Sequence, residues 1–552
     1  METNQSRIVH FLPSLTDIAF LLPIVLLFTR MDGVKTLLGD GDTGWHIRTG
    51  QWILTHHAIP HQDIFSFTKP GAPWFAWEWL WDLIFGWLDL HWGLSAVVVA
   101  SIAIICLTSG ALFRLILSKC NNRLIAIAIA FLAMSGSSIH WLARPHLVTM
   151  LFTVIWVAIL EHAASGDEKL LWLLPLGTVL WTNLHGGFLV GIVLVSTYAV
   201  GAALDGFFSN ETEVRARLFR NARVRFIIAV LSLVASLINP YGYRLHEHIV
   251  EYFNDPTQMN TISEFQSMSF HHPAALYLEV MLGLSALTAI MWLRRRRFTP
   301  ALLIIGWAHL ALLAGRNIPL FLLISAPFVA GSLDELLRSA LGEVQNFPRG
   351  VRKIWSIAHE VSEEVQVFDR PWRSHLISVI TVVLLTTAVS AGAHLFKLRA
   401  EYDPKRYPAG AVAMLTAVSG HHRIFCDDEW GDYLAYRFYP TGRVFVDGRS
   451  DFYGGKFVHN YLDIERVEYD WQKKLDRYGI DTLLLSTKSA IAEAAKLSPR
   501  WRVTYDDGIA VVLESNSPAS RFSTACGNDH DFRHSESRAG DVRIRNDERK
   551  NL

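Results

Sequence analysis

GDGDTGWHIRTG, Gly39 to Gly50, follows closely on an apolar run, Ile18 to Thr29, that has the composition of a membrane span. Two carboxylates, Asp40 and Asp42, stand there beside His46 and Arg48, with Trp45 among them. Ionisable groups among bundled helices are costly and concentrate at functional sites. The rest of the chain decides whether this cluster is such a site.

The composition is that of a membrane protein. Of 552 residues, 51% are hydrophobic and 18% charged, with 19 Trp and 31 Phe; a soluble domain averages about 25% charged residues. The formal net charge is zero, which argues against nucleic acid as a partner. Cys106, Cys120, Cys426 and Cys526 show neither metal-ligand spacing nor a disulfide framework. No small-residue cleavage site follows the first apolar run, so it is read as a retained signal anchor. A span takes about 20 mainly apolar residues. Eleven runs are candidates: 11–30, 93–113, 124–142, 146–161, 169–183, 187–205, 225–239, 274–293, 299–314, 317–332 and 376–396.

Cytoplasmic loops carry an excess of Lys and Arg. With the N-terminus inside, the inner loops hold Arg114, Lys119 and Arg123, then Glu161–Lys169, Arg215–Arg225 and Arg294–Arg297. The last inner loop is the charged stretch 333–374, read as an amphipathic helix on the inner surface. The reverse orientation would carry Arg294–Arg297 across the bilayer. The N-terminus is therefore expected in the cytoplasm and the region after residue 397 outside.

That topology brings the polar clusters to one face. The first outer loop, 31–92, opens with the Asp40/Asp42 pair. ARPH (Ala143–His146), TNLHGG (Thr182–Gly187), NPYGYRLHEH (Asn239–His248), NTISEF (Asn260–Phe265) and GRN (Gly315–Asn317) all fall in outer turns. Each alone is ordinary turn chemistry. The acidic pair also has a plain reading, with Asp42 as the N-cap of a helix Thr43–His56. That uses one acid and leaves the other, and His46, unexplained. Trp74, Trp77, Trp79, Trp81 and Trp87 fit a segment lying in the membrane–water interface and roofing the bundle. Glu78 and Asp82, four apart, share a helical face.

Residues 401–516 change character. RIFC, RVFVD, DTLLLS, WRVTY and IAVVLE read as strands, with helices near 408–418, 459–478 and 489–497, which makes a small α/β domain. The loop VDGRSDFYGG, Val446–Gly455, either shapes the entrance to the polar face or is a turn stabilised by Asp447 and Arg449. The polar tail, 517–552, is expected to be disordered.

A short first span, then a long extracytoplasmic loop that opens with an acidic motif and continues as interfacial helices, resembles the GT-C superfamily of membrane glycosyltransferases. Its members include protein mannosyltransferases, the aminoarabinose transferases of lipid A and oligosaccharyltransferases. The resemblance covers residues 1–400, and a small extracytoplasmic domain after the last span is typical of several members. Thr261 to Glu264, Thr-Ile-Ser-Glu, is similar to the Thr-Ile-X-Glu motif of the oligosaccharyltransferase branch, whose Glu touches metal and acceptor. WGDY, Trp430 to Tyr433, is similar to that branch's Trp-Trp-Asp-Tyr-Gly signature. Gly431 departs from it in place of the second Trp, Leu434 in place of the final Gly, and the Thr-Ile-Ser-Glu loop comes early for a thirteen-span enzyme. The expected fold is an α-helical polytopic membrane protein with about 11 transmembrane helices, GT-C-like, and a small extracytoplasmic α/β domain. The resemblance is to bacterial multi-pass members of unassigned substrate, which implies the bacterial inner (plasma) membrane.

The resemblance implies transfer of a sugar from a polyprenyl-phosphate or pyrophosphate carrier to a glycan, lipid or protein acceptor, with inversion under direct attack. A carboxylate must take the acceptor proton or bind a metal; Asp42 is assigned to this, with Asp40 the close alternative. Two acids this close repel, which raises a pKa. A cation must stabilise the leaving phosphate. Arg144, Arg244 and Arg316 are candidates, since guanidinium suits phosphate geometry, with His46 and His185 as further donor contacts. Glu264 and Glu78 are acceptor or metal candidates. The cofactor stays open; a divalent cation, if one takes part, would draw on Asp42, Glu264 and His146. The rival from another class is a transporter or flippase of lipid-linked sugars, which would place charges near the midplane in repeated halves. Here Glu279 and His309 are the notable charged interruptions, and no internal repeat is seen. An inactive scaffold that kept the fold is the third reading.

Overall fold

The structure, a computed structural model, describes residues 13–342, 375–390, 399–417 and 422–516, with scattered residues between 350 and 365. The expected tail 517–552 and most of the expected surface segment 333–374 lie outside the described residues.

Each of the eleven apolar runs coincides with a helix: Leu15–Thr29, Leu94–Leu117, Arg123–Ser137, His146–Ala164, Leu173–Leu184, Phe188–Phe207, Thr212–Ala235, Ala275–Arg294, Phe298–Leu313, Ile318–Gly342 and Leu376–Ser390. Among the described residues, six helical segments are long and apolar enough to cross a bilayer, which makes the chain an integral membrane protein. Two boundaries differ from expectation. Thr212–Ala235 begins inside the basic segment expected as a loop, because residues 212–225 contain no Gly or Pro and Arg is a good helix former. Ile318–Gly342 runs past residue 333 in the same way.

The bundle has two polar ends. At one, Asp334 accepts from the Asn121 backbone N–H at 2.7 Å, Asp205 accepts from that of Phe298 at 2.7 Å, and Lys119 pairs with Glu161. These are the expected inner loops. At the other end the polar turns meet. The Ala143 N–H donates to the Leu37 carbonyl at 2.8 Å, Asn183 Nδ2 to that of Ile238 at 2.9 Å, and the Gly315 N–H to that of Gln266 at 2.9 Å.

The first loop is a core element and only partly a roof. The helices Thr43–His56 and Trp79–Trp92 touch so closely that a Cβ on Gly50 would lie 1.8 Å from the Asp82 carbonyl oxygen. Trp74 and Trp81 are buried, Trp79 donates to Asn183 Oδ1 at 2.7 Å, and Trp87 is exposed. Aromatic composition does not separate a ring at an interface from one in a core, which is why the interfacial reading holds for only part of this segment.

The C-terminal region forms a four-stranded sheet in the order β1 (Ile424–Phe425), β2 (Thr482–Ser486), β4 (Ala510–Ser515), β3 (Trp501–Asp506). β1 pairs with β2 in parallel, and the other pairings are antiparallel. The expected strand RVFVD is outside the sheet. Val444 instead exchanges backbone hydrogen bonds with Phe65 and Phe67 of the first loop, both at 3.0 Å. The expected helix 459–478 is two, Gly455–Glu465 and Trp471–Arg477, interrupted where Val467 and Asp470 take positive φ. A further helix, Asp428–Phe438, is capped by Asp427, which accepts from the Trp430 N–H at 2.7 Å. It packs on Thr43–His56. The C-terminal domain therefore docks directly on the acidic loop.

Candidate active site

The turn before Thr43 aims both acids inward. Asp40 Oδ1 accepts from the Asp42 backbone N–H at 2.9 Å, which fixes the turn. The helix starts at Thr43 as expected, but the Asp42 side chain makes no capping bond. Its oxygens are engaged elsewhere: Oδ1 accepts from Trp45 Nε1 at 3.2 Å, and Oδ2 lies 2.6 Å from Arg144 Nη2. Arg144 Nη1 reaches Asp40 Oδ2 at 2.8 Å and Glu264 Oε1 at 3.0 Å. One guanidinium thus holds three carboxylates from two turns. Burial alone would raise the Glu264 carboxyl, but Arg144 and Arg316 hold it down at about 2.

A fourth carboxylate, Asp432, was not singled out from sequence. It belongs to the WGDY segment, whose resemblance carries no role for its Asp. A side-chain hydrogen bond joins it to Asp42, and its Oδ1 accepts from the Gly448 N–H at 2.7 Å. Burial pushes Asp432 well up, and Asp42 adds to the rise. Burial also raises Asp42 to about 7, against the attraction of Arg144. A hydrogen bond between two carboxyls needs one proton, and burial favours its retention by this pair. The glycine that departs from the signature has a steric cause: a Cβ on Gly431 would lie 1.8 Å from the Val446 carbonyl oxygen. The loop after Val446 passes over the acids, and it is also the expected turn, since Arg449 Nε donates to Asp447 Oδ1 at 2.8 Å.

Beneath this lies a neutral network. His46 Nδ1 sits 2.6 Å from Asp82 Oδ1, and its Nε2 faces Glu78 Oε2 at 3.6 Å. His185 Nε2 faces Glu78 Oε1 at 3.4 Å, while its Nδ1 meets Thr149 Oγ1 at 2.7 Å. Burial pushes Asp82 well up and Glu78 to about 8, and it drives His46 well down and His185 to about 3. Glu78 and Asp82 do share one face, and that face holds His46. With both nitrogens turned to carboxyls, His46 is a buttress for Thr43–His56 and not a phosphate contact.

The remaining expected residues separate. Arg316 stacks over Phe265 at 4.5 Å, next to Glu264, and takes part in no ion pair among the described residues. Arg244 opens the helix Arg244–Asn254 on an exposed face, outside the cluster. The turn it follows was legible, but a turn does not dictate where the next side chain points. The ring Nε2 of His146 is 2.6 Å from the His140 carbonyl oxygen, so that nitrogen is committed to the backbone.

A divalent cation, which the Thr-Ile-X-Glu resemblance implies, does not fit these residues. The oxygens of Asp40, Asp42 and Glu264 that would ligate it are bound by the Arg144 guanidinium. Among the described residues no three His, Cys, Asp or Glu side chains group to hold a metal ion.

No family model and no curated protein sequence matches the chain. Solved structures do. The Archaeoglobus fulgidus oligosaccharyltransferase in its apo form is 12% identical with a TM-score of 0.52, over 85% of this chain and 69% of that one. The archaeal oligosaccharyltransferase AglB from Archaeoglobus fulgidus, in complex with an inhibitory peptide and a dolichol-phosphate, is 11% identical with a TM-score of 0.52, over 91% and 74%. The Archaeoglobus fulgidus enzyme tethered to an acceptor peptide containing the NVT sequon is 11% identical with a TM-score of 0.50, over 85% and 68%. What the chain shares with these oligosaccharyltransferases at this identity is the overall fold.

Proposed function

We propose that this chain is a membrane glycosyltransferase that moves a sugar from a polyprenyl-(pyro)phosphate carrier to an acceptor on the outer face of a bacterial inner membrane, with the N-terminus in the cytoplasm. The observation that carries the reading is the convergence on Asp42, whose carboxylate is met by Arg144 from one turn and Asp432 from the C-terminal domain. The acceptor nucleophile attacks the anomeric carbon, the bond to the carrier phosphate oxygen breaks with its electrons, and the acceptor proton passes to Asp42. Asp42 suits this because its pKa near 7 matches the working range of a general base. Arg316, which stacks on Phe265 beside Glu264 and takes part in no ion pair among the described residues, is the candidate to meet the leaving phosphate. A finer reading is oligosaccharyltransferase-type transfer to protein. It is favoured by the joining of Glu264, from the Thr-Ile-Ser-Glu loop, and Asp432, from WGDY, to one Arg144–Asp42 cluster.

The test is incubation of the purified protein with a labelled polyprenyl-linked sugar and candidate acceptors. Asp42→Asn should lower transfer by about 10²–10⁴-fold, the usual contribution of a general base, with insertion and folding unchanged. Full activity in that variant overturns the assignment, and movement of the lipid without product would mark a transporter.

A further inference from the structure

Metal-dependent transferases gather carboxylates around a dication. Here the gathered carboxylates already have a cation, and it is covalently part of the chain. Asp40, Asp42 and Glu264 come from two outer segments, residues 40–42 and 264, yet each places an oxygen within 3.0 Å of the same guanidinium. Arg144 lies between them, on a turn pinned by the Ala143 N–H to the Leu37 carbonyl at 2.8 Å and by Thr43 Oγ1 to the Ala143 carbonyl at 3.2 Å. A dication at the same point would have to displace Nη1 and Nη2 and then sit beside the displaced positive charge.

We propose that Arg144 is a built-in replacement for a catalytic divalent cation, so that the acidic cluster is assembled and works without metal. This rests on the proposed glycosyltransferase reading and concerns how that site is held. Arg144 acts as a positioning residue, since it reaches the chemistry through Asp42. A guanidinium suits the task because it stays charged at any working pH and its fork directs separate N–H groups at several carboxylates. It cannot be removed by a chelator. The corollary is a latent metal site: without Arg144, three carboxylates face one another with no counter-cation, an arrangement that recruits a hard dication.

The test uses Mn²⁺ as probe, followed by the loss of its free EPR signal on titration into the full-length protein in nanodiscs. Wild type should leave Mn²⁺ free. Arg144→Ala should bind about one Mn²⁺ per chain and lose it again when Glu264→Gln is added. A purely structural Arg144 would give no such gain. Stoichiometric Mn²⁺ binding by wild type that Asp42→Asn abolishes overturns the proposal, as does a folded Arg144→Ala that binds none. If Arg144→Ala fails to fold, the wild-type titration decides alone. These arms need no transfer activity, so their failure leaves the glycosyltransferase reading standing. Absence of transfer with every lipid-linked sugar would overturn that reading and leave the binding result intact. Where transfer is measured, EDTA should leave its rate unchanged.

Discussion

Gly448→Ala tests the geometry of the acid pair with one methyl group. The backbone of Gly448 is not in the positive-φ region, so alanine brings no backbone strain. Its Cβ would lie 2.1 Å from Asp42 Oδ1 and 2.9 Å from Asp432 Oδ2, inside the 3.0 Å that real Cβ atoms keep. Asp42 is not free to swing aside, because Trp45 Nε1 holds Oδ1 and Arg144 Nη2 holds Oδ2. The carboxylate must retreat by about 0.9 Å, and a misplacement of about 1 Å at a reacting group costs on the order of 10²-fold in rate. That is about 2.7 kcal/mol of transition-state stabilisation. Overpacking by one methyl costs about 1–3 kcal/mol of stability, so the variant should remain folded. The assay is the initial rate of transfer from a labelled polyprenyl-linked sugar, with a thermal melt of the same preparation. A folded variant within about threefold of the wild-type rate would refute the reasoning, because Asp42 would then not be the constrained carboxylate that takes the proton.

Three further outcomes follow from the contacts of Asp42 and of the docked C-terminal domain. Because Asp42 accepts a proton only when ionised, transfer should be low below about pH 7 and rise to a plateau above it. The hydrogen bond from Asp432 holds the Asp42 carboxyl down against burial, so Asp432→Ala, which removes it, should move the midpoint of kcat/KM against pH to higher pH. Arg449→Met should destabilise the protein by about 3–5 kcal/mol, the range for breaking a buried ion pair, because it leaves Asp63 and Asp447 facing each other in the core. Denaturant titration checks this, and an unchanged midpoint would show that the C-terminal domain docks without this pair.

The helices were legible because apolar length is a local quantity. An apolar run can be read without knowing its neighbours, and each of the expected runs overlaps a helix, six of them in segments long and apolar enough to cross a bilayer. Asp40, Asp42, Arg144 and Glu264 were legible for the same reason, as ionisable groups at the ends of spans. Asp432 was not, since nothing near residue 432 signals a partner at residue 42. Only the motif resemblance pointed to that segment. His46 looked like a ligand because histidine beside acids often is one, yet burial between Glu78 and Asp82 made it a neutral support. The N-cap reading of Asp42 failed on a further non-local fact: its oxygens are held by Arg144 and Trp45. Local pattern proposes a partner for each polar group, and tertiary packing assigns it.

The site is divided between two parts of the chain, and the division accounts for its chemistry. Asp40, Asp42, Arg144 and Glu264 come from the bundle and its turns, whereas Asp432 and Gly448 come from the domain after the last span. Docking of that domain is held by Arg449, which pairs with Asp63 of the first loop and Asp447 of its own at 2.7 Å each. Phe65, Trp74 and Phe452 lie around its guanidinium at 4.9, 4.5 and 4.8 Å. Docking lays Gly448 against Asp42 and brings Asp432 into contact with it. Those contacts bury Asp42, and burial is the largest influence raising its pKa. The bundle supplies the cation that keeps the carboxylate chargeable, and the C-terminal domain supplies the dehydration that makes it basic. Under the proposed mechanism, neither part alone supplies the general base.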